Sequence, residues 1–77
     1  MKVKVIVTLK EGVLDPQGKA IQQTLNGMSF SDVKEVRQGK YFDIEVSIED
    51  EKKAKDKVEE MCKKLLANLV IEDYKIL

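Results

Sequence analysis

The sequence predicts an α+β fold, a βαββαβ two-layer sandwich in which an antiparallel sheet carries two helices on one face. Three observations predict it. Residues 2–10 alternate between apolar and polar side chains, which is the pattern of a half-buried strand. Asp15-Pro16 has the form of a helix start. A longer helical period begins after the acidic residues 49–51 and leads into a last β-rich segment.

The first strand and the first helix follow from local patterns. One face of the strand consists of Val3, Val5, Val7 and Leu9. Asp15 is the expected N-cap, because its carboxylate can accept a helix N–H that has no other partner. Pro16 fits the first turn, where it lacks only an amide that would remain unpaired. Asn26-Gly27 predicts the helix end, with glycine in the left-handed cap. The apolar stripe of this helix is Ala20, Ile21, Leu25 and Met28.

The centre of the chain predicts a β-hairpin. Residues 33–38 and residues 41–48 both contain β-branched or aromatic side chains, and they flank Gly39-Lys40. The inward row of the second strand is Phe42, Ile44, Val46 and Ile48. The order of the strands in the sheet stays open, because this connectivity permits more than one arrangement.

The second helix and a last strand complete the prediction. Acidic residues 49–51 lie at the positive end of the helix and Lys63-Lys64 at its negative end. Residues 70–77 predict a strand whose apolar positions do not alternate, which favours a strand covered on both faces. The predicted buried stripe of the helix is Ala54, Val58, Met61, Cys62, Leu65 and Leu69.

The length of the chain predicts one domain, residues 1–77, with a marginal core. A core of this size rarely supplies more than ~3–5 kcal/mol without a further means of stabilisation. One cysteine cannot form an internal disulfide, and without histidine there is no tetrahedral Cys/His metal set. Self-association therefore remains as the means of stabilisation, and both a dimer and a tetramer stay open.

Charge and hydropathy argue against nucleic-acid and membrane partners. Fourteen basic and fourteen acidic side chains are interspersed, whereas nucleic-acid binding requires a basic excess on one face. No apolar run approaches membrane-spanning length, and the first residues lead directly into the strand pattern without a signal peptide. We therefore expect a cytoplasmic protein.

The sequence offers no set of residues for catalysis. Histidine, the commonest general base, is absent, and Cys62 lies on an apolar helix stripe without a basic partner. The glycines around the first helix lack the lysine and Ser/Thr of a phosphate loop, and Asp15 would lie where the phosphate binds. Tyr41 and Phe42 point to opposite faces of a strand, so they cannot form an RNA-stacking platform. We expect no catalytic residue, no metal site and no cofactor bound by this chain alone.

Two motifs give the chain a resemblance to a known family. They are Gly12-Val13-Leu14-Asp15-Pro16-Gln17-Gly18 and Val36-Arg37-Gln38-Gly39-Lys40. On these motifs, and over essentially its whole length, the chain closely resembles the PurS family. This family is the small subunit of bacterial and archaeal phosphoribosylformylglycinamidine (FGAM) synthase.

The resemblance implies a non-catalytic assembly subunit in de novo purine biosynthesis. FGAM synthase is a carbon–nitrogen ligase that converts formylglycinamide ribonucleotide to its amidine. A glutaminase subunit releases ammonia from glutamine, and a synthetase subunit uses ATP and Mg to activate the formyl-amide oxygen that ammonia displaces. The small subunit is implied to bridge these two subunits and to support ammonia transfer, without being catalytic on its own.

Two sets of surface residues are the candidates for contacts. Leu14, Asp15 and Pro16 are expected to form a bend that a partner subunit contacts, with Arg37 and Lys40 supplying charged contacts. The candidates for self-association are Ile6, Tyr41, Tyr74 and Ile76. The alternative is a small dimeric metabolite-binding regulatory module, which predicts saturable binding of a small molecule to the isolated chain.

Overall fold

The sheet has three antiparallel strands, with the first strand at its centre. The computed structural model describes residues 1–77. Its elements in chain order are β1 (Lys2–Leu9), α1 (Pro16–Gly27), β2 (Gly39–Glu45), α2 (Glu51–Met61), a π-helical turn (Cys62–Leu66) and β3 (Glu72–Ile76). The strand order is β2-β1-β3, and β1 is antiparallel to both neighbours. The α+β class with an antiparallel sheet and two helices is therefore confirmed.

The core lies between β1 and α2. The helix starts at a capped turn, in which the Asp50 side chain accepts the N–H of Lys53 at 3.1 Å. From there α2 lays its small apolar side chains against the inward face of β1, which the alternating strand pattern predicts. The buried core is Val3, Val5, Val7, Ala54, Val58, Cys62 and Ala67.

The π-helical turn changes which side chains are buried after α2. It is closed by the N–H of Ala67, which donates to the carbonyl oxygen of Cys62 at 3.0 Å. A π-helical turn holds more residues than an α-helical one, so the side chains that follow are rotated away from the α-helical stripe. Leu65 is 83% exposed, while Leu66 packs against the core. The predicted burial of Leu65 and of Leu69, which lies beyond the helix and is also exposed, is wrong.

Ser29, and not Gly27, takes the left-handed conformation that ends α1. Its φ angle is 78°, and the predicted glycine cap at Gly27 is wrong. The N–H of Phe30 donates to the Leu25 carbonyl at 3.0 Å, and the N–H of Ser29 donates to the Asn26 carbonyl at 3.3 Å. This pair of bonds is a Schellman motif with serine in the position that glycine usually occupies.

Residues 33–38 form no strand, so the predicted hairpin around Gly39-Lys40 is wrong. Thr8 lies opposite Gly39 at the end of the β1–β2 ladder, and no strand of the sheet runs beside the residues that precede Gly39. These residues run back along α1 instead, where the Asn26 side chain donates to the Val33 carbonyl at 3.1 Å. The strand itself ends at Glu45, short of the predicted residue 48.

The last strand is shorter than predicted and is covered on one face only. From Glu72 onward its side chains alternate: Tyr74 and Ile76 pack against the core, while Asp73 and Lys75 are exposed. The irregular pattern came from residues 70 and 71, which precede the strand. The prediction that both faces are covered is therefore wrong.

The chain is elongated, and α1 is set apart from the rest. The Cα atoms extend over 48 × 24 × 14 Å with a radius of gyration of 15.9 Å, against roughly 11–12 Å for a compact chain of this length. Only 10 of 77 residues are buried. Since α1 makes at most marginal contact with the strands and with α2, Ile21 and Met28 of its apolar stripe stay exposed. Neither helix combines the length and the apolar character needed to cross a lipid bilayer.

Candidate functional site

The two sequence motifs meet at the start of α1, where Asp15 connects them. This residue is 6% exposed. Its Oδ1 accepts the N–H of Gly18 at 2.9 Å, and its Oδ2 accepts the N–H of Gln38 at 2.7 Å. One carboxylate thus caps the helix and also fixes the segment that leads into β2.

The same hydrogen bonds favour the charged form of the carboxylate. The backbone N–H of Gln38 and then that of Gly18 hold the pKa of Asp15 below its ordinary value of 3.8. The positive charge of Arg37 lowers the pKa further, while burial opposes these effects. Asp15 is therefore an anion at neutral pH, and it interacts with backbone donors of both segments.

Gly18 allows the two segments to approach closely. A Cβ atom at this position would overlap the backbone carbonyl oxygen of Val36 and lie 2.8 Å from Asp15 Oδ2. Beside it, Nε2 of Gln38 donates to Oε1 of Gln17 at 2.6 Å. Glycine is thus required here for close packing between the helix and the neighbouring backbone.

Arg37 holds the bend between β1 and α1. Its Nη1 donates to the carbonyl oxygen of Val13 at 3.0 Å, and its Nη2 donates to those of Lys10 at 3.2 Å and Leu9 at 3.4 Å. Inside the bend the N–H of Val13 donates to the Lys10 carbonyl at 3.1 Å, and Gly12 has a φ of 87°. A positive φ at the third residue is what a type II turn requires. The guanidinium therefore contacts three backbone carbonyls of its own chain.

A shallow polar depression of about 390 Å³ lies beside the contact between the start of α1 and Gln38. Lys40 is at its rim, with Nζ 3.5 Å from Oε2 of Glu72 and a side chain that is 61% exposed. The other carboxylate oxygen of Glu72 accepts the N–H of Asn68 at 2.7 Å. No three His, Cys, Asp or Glu side chains of the chain are grouped to hold a metal ion. The depression thus combines one exposed cation with polar groups that already have partners.

The structure brings the five predicted partner-binding residues together, in two different situations. Asp15 and Arg37 are bonded inward, to the cap and to the bend. Leu14, Pro16 and Lys40 face solvent around them, and Leu14 is 71% exposed. The bend between β1 and α1 therefore displays an apolar side chain beside a cation.

The four predicted self-association residues lie on opposite faces of the sheet. Ile6 and Tyr41 are directly opposite each other in the β1–β2 ladder, on the face that no helix covers, and Tyr41 is 54% exposed. Tyr74 and Ile76 face α2 instead. The Tyr74 hydroxyl donates to Oε1 of Glu59 at 3.2 Å, and burial, followed by this bond to a carboxylate, raises the pKa of the phenol.

Sequence reasoning missed an apolar groove between α2 and β2. The groove has a volume of about 520 Å³, and its apolar walls are Ile44, Met61, Leu65 and Leu66. It exists because the π-helical turn rotates Leu65 outward, and nothing in the helical spacing predicts that turn. The contact between Asp15 and Gln38 had one signal in the sequence, the joint presence of the two motifs.

Comparison with known proteins gives the family. The family model for PurS, described as phosphoribosylformylglycinamidine (FGAM) synthase, matches residues 2–77. The chain belongs to the PurS family. A curated relative, the FGAM synthase subunit PurS of Methanocaldococcus jannaschii, is 56% identical over 75 residues, which are 97% of this chain and 90% of the relative. The identification made from the two motifs is therefore confirmed.

Solved structures of PurS proteins have the same fold. The crystal structure of M. jannaschii PurS, one of the subunits of formylglycinamide ribonucleotide amidotransferase in the purine biosynthetic pathway, has a TM-score of 0.88 at 55% identity. The match covers 99% of this chain and 92% of that chain. The PurS-family fold is also found in the structure of PurLQS from Thermotoga maritima, with a TM-score of 0.90 at 34% identity and coverage of 99% and 93%.

Proposed function

We propose that this PurS-family chain is the non-catalytic assembly subunit of FGAM synthase in de novo purine biosynthesis. The observation that carries the proposal is membership of the family over residues 2–77. The similarity to a chain of the PurLQS structure supports an assembly role. The site agrees with this role, because Asp15 and Arg37 bond to the backbone of their own chain and thereby fix the conformation of an exposed bend.

In this proposal the chain bridges a glutaminase subunit and a synthetase subunit and supports the transfer of ammonia between them. The synthetase subunit uses ATP and Mg, and this chain by itself binds no cofactor. Residues 1–77 act as one domain, and the complex works in the cytoplasm.

The partner surface in the proposal is the bend at the start of α1. Leu14, Pro16 and Lys40 make the contacts, since they are the exposed members of the predicted set. Asp15 and Arg37 act as positioning residues, because they hold the bend through the bonds to Gly18, Gln38 and the β1–α1 turn. An exposed leucine beside a cation suits a partner pocket that is apolar with an acidic rim.

Self-association is the second part of the proposal. Ile6 and Tyr41 form an apolar pair on the open sheet face and contact a second copy, whereas Tyr74 and Ile76 support that face from the α2 side. Tyr41→Asp should lower the oligomeric state measured by light scattering. An undisturbed oligomer would remove Tyr41 from the interface.

The experiment that tests the function is glutamine-dependent amidine synthesis by purified glutaminase and synthetase subunits, with and without this chain. Activity that requires the chain is the expected result. Leu14→Asp should weaken assembly by about tenfold, which corresponds to ~1.4 kcal/mol. Leu77→Asp serves as the matched control, because it is the same change at an exposed leucine directly after β3 (49% exposed), away from the bend. It should leave assembly unchanged.

Either of two results would overturn the proposal. If the two larger subunits reach the same activity without the chain, the assembly role is wrong. If the isolated chain instead binds a metabolite saturably and the complex does not form, the regulatory-module alternative replaces it.

A further inference from the structure

Asn26-Gly27, at the end of α1, is the one Asn-Gly pair in the chain, and the proposed function does not use it. The only other asparagine, Asn68, precedes Leu69. The amide carbon of an asparagine side chain can be attacked by the backbone nitrogen of the next residue. Glycine leaves that nitrogen most accessible, because it has no Cβ and the widest choice of backbone angles. The pair is therefore where this chain is best able to lose an amide by reacting with itself.

In the folded chain both reacting groups of this pair are engaged. Nδ2 of Asn26 donates to the carbonyl oxygens of Phe30 at 2.9 Å and Val33 at 3.1 Å, so both of its hydrogens have acceptors. Gly27 is the last residue of α1, and an α-helical N–H donates to the carbonyl four residues earlier. The helix end therefore has to open before the nitrogen of Gly27 can reach Cγ of Asn26.

The end of α1 has few contacts that resist opening. The one buried residue of the helix is Gly18, in its first turn, whereas Met28 and Phe30 at the other end are exposed. Ser29 has a φ of 78°, which an L residue adopts at a cost, and its N–H donates to the Asn26 carbonyl over a long 3.3 Å. Segments with few buried contacts open locally more often than the whole domain unfolds. Local opening of this end is therefore the step that exposes the pair.

We propose that Asn26 is a modification site at which the chain deamidates itself when the end of α1 opens. The backbone nitrogen of Gly27 attacks Cγ of Asn26, and the new C–N bond closes a succinimide ring. Nδ2 leaves as ammonia and takes up the proton that Gly27 loses. Water then opens the ring at one of its two carbonyls, which leaves an aspartate or an isoaspartate at position 26. Water is the only co-reactant.

The product of this reaction closes the helix end less well than asparagine does. A carboxylate accepts hydrogen bonds and donates none, so an oxygen in the place of Nδ2 would face the carbonyl oxygens of Phe30 and Val33. The new negative charge also lies at the negative end of the α1 dipole. The isoaspartate form in addition inserts a methylene into the backbone. Each chain that reacts thus opens more readily afterwards, and the amount of product records how often α1 has opened.

Peptide mapping by mass spectrometry tests the proposal on the full chain at neutral pH, both folded and in urea. The conversion of Asn26 is compared with that of Asn68, the internal control, whose next residue carries a branched side chain. Asn26 should convert in both conditions, and faster in urea, where nothing holds the helix end. A folded chain in which Asn26 converts no faster than Asn68 would overturn the proposal.

Ser29→Gly separates the opening of the helix end from the chemistry of the pair. Glycine adopts the positive φ without strain, so the end opens less often, while Asn26 and Gly27 are unchanged. Deamidation of the folded Ser29→Gly chain should be about two- to fivefold slower than that of the folded wild type. The two rates in urea should be equal. Equal rates for the two folded chains would refute the role of the helix end.

Gly27→Ala tests the attacking nitrogen. Nothing lies within 4 Å of a Cβ atom at this position, so the helix keeps its form. Because the added methyl group hinders ring closure itself, this variant should deamidate more slowly than the wild type in urea as well as in the folded state. A rate in urea equal to that of the wild type would exclude attack by this nitrogen.

Asn26→Asp measures the effect of the product on the helix end. The N–H of Phe30 donates to the Leu25 carbonyl at 3.0 Å, and its hydrogen exchange should become faster by about fivefold or more, since two side-chain bonds are lost. Asn68→Asp is the matched control, because Oδ1 of Asn68 only accepts, from the N–H of Val70 at 3.1 Å. It should leave the exchange of Phe30 unchanged. The same exchange rate in both variants would overturn the predicted effect of the product.

Discussion

Replacing Gly18 with alanine should destabilise the chain, although alanine is the better helix former. In an exposed helix interior the Gly→Ala change stabilises by about 1 kcal/mol. At Gly18 the new Cβ would overlap the Val36 carbonyl oxygen and lie 2.8 Å from Asp15 Oδ2. The oxygen belongs to the backbone, so relief requires the segment around Val36 to move away from the helix. Overpacking of this kind costs ~1–3 kcal/mol, which leaves a net loss of up to about 2 kcal/mol once the helix-propensity gain is subtracted.

Gly27→Ala is the matched control within the same helix. Nothing lies within 4 Å of a Cβ atom built at Gly27, and its φ is not positive. This variant should therefore be stabilised, by about 0.5 kcal/mol or slightly more. The two substitutions are chemically identical and should shift stability in opposite directions.

The assay is thermal unfolding followed by circular dichroism at one fixed protein concentration, because self-association makes the melting temperature concentration-dependent. For a domain of this size 1 kcal/mol corresponds to roughly 4–8 °C. Gly18→Ala should thus melt below the wild type, by up to about 16 °C, and Gly27→Ala slightly above it. A Gly18→Ala variant as stable as Gly27→Ala would refute the close packing of α1 on residues 36–38.

Three further predictions concern the bend and the helix end. Arg37→Ala should lower the free energy of unfolding by about 1–2 kcal/mol, since three carbonyls lose a charged donor. Arg37→Lys should recover little of this loss, because the lysine ammonium lacks the planar guanidinium that reaches several carbonyls at once. Equal urea midpoints for the wild type and Arg37→Ala would contradict a stabilising role of these bonds. The lowered pKa of Asp15 contributes stability above an unfolded-state pKa of about 4, and that contribution disappears as the pH falls through the folded-state value. Asp15→Asn should accordingly flatten the loss of stability between neutral and acid pH, and an unaltered pH profile would count against the carboxylate bonds. Ser29→Gly should raise stability by about 0.5–1 kcal/mol, because glycine adopts a positive φ without strain, and a lower melting temperature would exclude this account.

The parts of the fold that local patterns encode were predictable. The alternation of β1, the Asp15-Pro16 helix start and the core row of α2 depend on neighbours in sequence, and the structure has all three. The ion pairs Glu59–Lys63 and Glu60–Lys64, which join the end of α2 to the π-helical turn, also depend only on a spacing of four residues, and their N–O distances are 3.8 and 3.0 Å.

The parts that failed depend on distant contacts. Residues 33–38 have the composition of a strand, but a strand needs a neighbour, and β1 ends too early to provide one. Leu65 fits the helical stripe, and only the π-helical turn moves it to the surface. At the site, the two motifs predicted that residues 12–18 and residues 36–40 belong to one site. They did not predict that Arg37 would be bonded to the backbone of its own chain.

The small number of buried residues affects the level at which the protein can accumulate in a cell. With only 10 of 77 residues buried, a single copy is close to the lower limit of what a core can stabilise. Partners that bind only the folded form add to its stability, and the gain grows with the logarithm of their concentration once they exceed Kd. Copies made in excess of their partners would spend more time unfolded and be degraded first. We therefore expect the supply of partners, more than the rate of synthesis, to set the level of the chain, which pulse-chase measurement of its half-life with and without them would reveal.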